Sequence, residues 1–174
     1  MQLGVTIPLQ RFLRLPRPPY GEADDPLFCW EAHRVRLDGC DVLLAVNASN
    51  RFLAAACMQP GDWAGWEGVA VASMRAALAQ AGVGGPAADA YLFFAGAPEV
   101  TRTHGRRPVA FLNVLADQLL SGPARVDPES SFQPDLCCFA NDELPGRAAG
   151  FEGLGLASER FAADLRRLGI GEPT

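Results

Sequence analysis

The chain has no lysine: all fifteen of its basic residues are arginine. Either a GC-rich coding bias accounts for this, which the abundant Ala, Gly and Pro fit, or the chain favours bidentate anion recognition. No GxGxxG or GKS/T run is present, which removes the dinucleotide and Walker phosphate loops. No GxSxG elbow exists either. Five cysteines (29, 40, 57, 137 and 138) form no CxxC pair. An odd count without a disulfide framework suggests free thiols in a reducing compartment, and the spacing fits no structural zinc pattern. Met1–Leu15 is broken by Pro8, Gln10, Arg11 and Arg14, unlike a signal peptide, and no apolar stretch approaches a membrane span. The expectation is a cytoplasmic protein with no membrane contact, no metal and no cofactor.

What is present is enough to build one core. The 174 residues are 49% hydrophobic and 20% charged, which suits a single domain over 1–174. The net charge of −5 gives no global pull toward nucleic acid. Asp38-Gly39 between alternating apolar residues is a strong hairpin signal, because both turn positions need positive φ. A two-residue turn pairs Leu37 with Cys40, Arg36 with Asp41, Val35 with Val42, His33 with Leu44 and Trp30 with Asn47. Alternation then puts His33, Val35, Leu37, Cys40, Val42, Leu44 and Val46 on the core face. Arg34, Arg36 and Asp41 fall on the other, where Arg36 and Asp41 can pair.

The fold class expected is α+β. An antiparallel meander runs over about 30–37, 40–47 and 51–58, preceded by a short strand at Gln2–Thr6 and a small helix capped by Thr6. Helices are expected at about 62–81 (capped by Asp62), 108–121 and 156–168 (capped by Ser158), the last with a Gly169-Ile170 Schellman ending. Residues 87–95 fit helix or strand. Glu99–Thr103 reads as a strand, Leu136–Ala140 as a small one, and 122–155 as a loop-rich connection.

Thr101 to Pro108 combines a strand end, Gly105, three arginines and a helix start, a setting for an anion. The competing reading is that Arg106 and Arg107 merely pair with surface carboxylates. Asn47, Ser49, Asn50 and Arg51, with Trp30 and Asn113, form a second polar group, equally readable as turn formers bonding their own backbone. His33 falls inward and reads as a core histidine. His104 is better placed as an acid/base or phosphate contact. Cys137-Cys138 reads as inert packing or a redox pair.

The motif order Trp30-x-x-His33, Val46-Asn47-x-x-x-Arg51-Phe52, Thr103-x-x-Arg106 and Asn113 resembles an uncharacterised bacterial family, a domain of unknown function. Some of its members are grouped with plasmid- and transposon-borne small proteins. The likeness spans about two-thirds of the chain. The family pattern more often carries an acidic residue and a Thr after the Asn, where Ala48, Ser49 and Asn50 stand here. It implies no activity, only that these residues merit testing.

The leading expectation is a non-catalytic binding or accessory protein. An anionic small molecule, or an acidic protein partner, would sit between the hairpin end and the Thr103–Arg107 loop. The ligand residues would be Trp30, Asn47, Arg51, Thr103, His104, Arg106 and Asn113. The alternatives are a phosphate-handling hydrolase or transferase using His104, and a mobile-element nucleic-acid binder using Arg51, Arg102, Arg106 and Arg107 as one patch.

Overall fold

A computed structural model describes residues 1–170; the last four residues of the single-domain span lie outside them. In chain order the strands are β1 (Gln2–Val5), β2 (Cys29–Leu37), β3 (Cys40–Asn47), β4 (Leu53–Cys57) and β5 (Glu99–Arg102). The helices are α1 (Ile7–Phe12), α2 (Trp66–Gln80), α3 (Gly85–Ala95), α4 (Arg106–Ser121), α5 (Pro134–Cys138) and α6 (Ala157–Arg167). The fold is α+β, as the element order indicates.

Asp38 and Gly39 turn with φ of 50° and 84°, the left-handed pair a two-residue hairpin needs. The register is the expected one at every position from Trp30↔Asn47 to Leu37↔Cys40. The meander is one side of a five-stranded sheet of order β4-β3-β2-β1-β5, in which β1 runs parallel to both β2 and β5.

The sheet is covered on both faces, which the single core face expected from alternation did not include. His33, Val35, Val42 and Leu44 share one face, but Leu3, Val5, Trp30, Ala32, Leu43 and Ala45 on the other are buried too. Parallel pairing places Gln2 and Gly4 beside Cys29 and Glu31 on the His33 face, with Glu99 and Thr101 of β5. α3 packs under the Trp30 face through Tyr91. α4 begins on the Glu31 face, where His104 meets that carboxylate.

Several local expectations are corrected. Asp41 takes Arg34 at 2.6 Å, not Arg36, because Arg34 also lies over the Phe12 ring at 4.0 Å from its centroid. Residues 62–65 form a 3-10 turn before α2, and the Asp62 carboxylate accepts from the Gln59 N–H instead of capping a helix. Residues 136–140 are helical, not a strand. Pro134 presets the first turn of α5, and a π turn at Phe139–Glu143 continues it. Residues 87–95 resolve as part of α3. Thr6 and Ser158 do not cap with their side chains: Thr6 Oγ1 bonds His33 Nδ1 at 2.9 Å, and Ser158 Oγ donates to Asn141 O. Asn141 in turn clasps Leu53 through both its amide groups, at 2.7 and 2.9 Å. Gly169 turns at φ 65° and the Ile170 N–H closes on Leu165 O, the expected ending of α6.

Candidate functional site

Cys29 and Glu31 stand two residues apart on β2 and so face the same way, beside Gln2 and Gly4 of β1. Glu31 is fully buried. Its Oε1 accepts from the His104 backbone N–H at 2.7 Å and from Nδ1 at 2.9 Å. On the other side of the ring, Gln2 Oε1 faces Nε2 at 3.1 Å. Both ring nitrogens thus meet acceptor oxygens, the arrangement of an imidazolium. Burial opposes that charge, but Cys29 and Glu31 outweigh it and push His104 up to about 9.

Two glycines let this cluster close. A Cβ on Gly4 would fall 2.6 Å from Glu31 Oε2 and 2.9 Å from the Thr103 Cα. One on Gly21 would fall 2.1 Å from Gln2 Oε1. The loop through Gly21 therefore lies over Gln2 and His104. Arg102 holds it there: its N–H donates to Pro19 O, its Nε to Pro18 O, and its guanidinium lies 4.0 Å over the Tyr20 ring.

The residue before His104 points elsewhere. Thr103 lines a cleft of ≈ 440 Å³ with Val5, Ile7, Gln10, Arg11, Arg17 and Arg102. It opens at the carboxyl ends of β1 and β5. There the chain leaves β1 toward β2 on one side and leaves β5 toward α4 on the other. Arg11, Arg17 and Arg102 have no carboxylate within ion-pair distance among the described residues.

The residues singled out from sequence are distributed over several places. Trp30 is buried, with Nε1 donating to the Tyr91 hydroxyl at 2.8 Å, and that hydroxyl donates to Leu27 O. Asn47 donates to the same Leu27 carbonyl and accepts from Ser49 N–H. Ser49 and Asn50 both donate to Asp164 of α6. This open end of the hairpin is thus a network of satisfied hydrogen bonds. Arg51 sits behind Phe111 of α4. Arg106 and Asn113 are exposed on α4, away from Asn47. Thr103 and His104 are neighbours in sequence but serve the cleft and the Glu31 cluster respectively. His33 is half-buried, and burial pulls its imidazole down. Burial pushes the Cys137 thiol up to about 12, as inert packing would have it. Among the described residues no group of three or more His, Cys, Asp or Glu is placed to hold a metal ion. No helix there is long and apolar enough to cross a membrane.

Sequence reasoning missed Glu31, Gln2, Arg11, Arg17, Tyr91 and Asp164. For Glu31 the signal was available: a carboxylate on the inward face of a strand needs a partner, and Gly4 within a strand marks a close approach. Removing the Tyr91 hydroxyl leaves the Trp30 N–H and one acceptor position of Leu27 O unpaired. Tyr91→Phe should therefore cost about 1–3 kcal/mol, read from the urea midpoint at unchanged slope. An unshifted midpoint would mean the network carries no stability.

A family model described as Domain of unknown function (DUF6933) matches residues 2–149, the span from β1 through the π turn that ends before α6. No curated protein matches the chain.

Proposed function

We propose, for a chain that belongs to the Domain of unknown function (DUF6933) family, a binding role: it holds a small anionic molecule in the cleft between α1 and β5. The observation that carries this reading is three guanidinium groups, Arg11, Arg17 and Arg102, around one cleft with Thr103 and Gln10 and no carboxylate partner among the described residues. A chain with net charge −5 has acidic groups to spare, so arginines left together unpaired suit an anion from outside. The position agrees, since parallel strands that part company leave a crevice at their carboxyl ends, the usual ligand place in such sheets. The volume falls in the range of small-molecule sites.

His104 takes no part in this reading, because its ring serves Glu31 on the opposite face. Nucleic-acid binding would need Arg51, Arg102, Arg106 and Arg107 on one surface. Arg102 lines this cleft and Arg107 another, which favours a small ligand.

The test is thermal-shift and calorimetric titration with inorganic phosphate, pyrophosphate and citrate. The expected result is a rise in Tm with at least one of them and an affinity about tenfold weaker in Arg17→Ser. Arg17 is exposed and makes no side-chain hydrogen bond or ion pair among the described residues, so this variant isolates the cleft. If no anion raises Tm, or if Arg17→Ser binds as the parent does, the reading fails.

A further inference from the structure

Two other arginines are harder to account for. Arg160 is only 6% exposed; its Nη1 donates to Gly146 O at 2.7 Å and its Nη2 to Gly153 O at 3.1 Å. Arg51 passes beside Gly146, where a Cβ would fall 1.4 Å from its Nη1. That Nη1 donates to Arg147 O, while its buried Nε has no partner among the described residues. Neither guanidinium has a carboxylate within ion-pair distance among the described residues. Carbonyl oxygens satisfy hydrogen bonds but leave the charge uncompensated, and uncompensated buried charge is costly.

Each of these cations backs a ring: Arg51 lies 5.1 Å from the Phe111 centroid and Arg160 5.2 Å from that of Phe151. The two rings line a cleft of ≈ 330 Å³ with Arg107, Arg147, Ala148 and Ala149. Two guanidiniums and two aromatic walls thus line one small space, apart from the cleft at Thr103, and two further guanidiniums lie against those walls.

We propose that the Phe111–Phe151 cleft is a second ligand site, for a phosphate ester that carries an aromatic ring, of the nucleoside monophosphate type. Arg107 and Arg147 take the phosphate, Arg51 and Arg160 supply the field behind it, and the ring system stacks on Phe151. The volume suits a mononucleotide better than a dinucleotide. The site does not depend on the proposal for the other cleft.

The experiment is calorimetric titration of the full chain carrying Arg17→Ser, which weakens the first cleft, with AMP, ribose 5-phosphate and inorganic phosphate. AMP should bind more tightly than ribose 5-phosphate by about tenfold, the worth of one stacked base. Arg147→Ser should weaken AMP and phosphate alike by about tenfold. Phe151→Leu should weaken AMP and leave phosphate unchanged. AMP should also move the methyl resonances of Ala148 and Ala149 in the parent protein, a readout that needs no variant. Equal binding of AMP and ribose 5-phosphate, AMP binding indifferent to both substitutions, or shifts at Thr103 in place of Ala148 and Ala149 would each overturn the proposal.

Discussion

His104→Ala lowers the unfolding free energy by about 3–5 kcal/mol near neutral pH, because it leaves a fully buried carboxylate without its counter-charge. Among the described residues Glu31 has no other donor within reach: one oxygen is held only by His104 and the other has no partner. Replacing both residues, Glu31→Leu with His104→Ala, should recover much of the loss, since the coupled pair then disappears together. Together with Cys29 the pair also sets a pH dependence. His104 is raised in the folded chain from 6.5 to about 9, so its stabilisation is fully present below 6.5 and is lost as pH rises through 9. That window carries about 3 kcal/mol. Urea unfolding at intervals from pH 6 to 10 should show the decline in the parent chain and its loss in His104→Ala. A flat profile in the parent would refute the ion pair.

Phe161→Ala should cost about 3–5 kcal/mol. Phe161 is fully buried, with its ring centroid 4.9 Å from that of Phe52, 5.1 Å from Tyr91 and 6.2 Å from Trp30. α6 is further tied by Asp164, which accepts from Ser49 and Asn50, and by Arg167, which reaches both Asp25 and Asp164. The helix lies outside the matched residues 2–149, yet it closes the core beneath the hairpin. Far-UV circular dichroism in urea measures the effect. A loss under about 1 kcal/mol would show that α6 is an appendage and not part of the core.

The hairpin was the most legible part of the sequence because its register depends on a local turn, and Asp38-Gly39 admits one geometry. The joining of β1 and β5 was not legible, since parallel pairing has no local signature in either four-residue strand. The same limit explains the site. Trp30 and Asn47 face each other as their spacing requires, but the groups that hold them, Tyr91 and Leu27, come from elements whose docking no spacing reveals. Residues 136–140 misled because Leu136, Cys137 and Phe139 make a short apolar run that suits strand or helix alike. Nothing in the spacing of Arg11 and Arg17 joins them to Arg102. They gather only because Arg102 draws the Pro18–Tyr20 loop onto the edge of β5.

The pairing of β1 with β5 joins Gln2 to Glu99 and Val5 to Arg102, across the meander and three helices. The cost of closing so long a loop is met before its contacts repay it. The hairpin, by contrast, needs only its own turn. A chain that has formed β2, β3 and β4 but not docked β5 has no Thr103 cleft, no strap over His104 and no partner for Glu31. The cleft thus belongs to the completed molecule alone, and its presence distinguishes the finished fold from every earlier form.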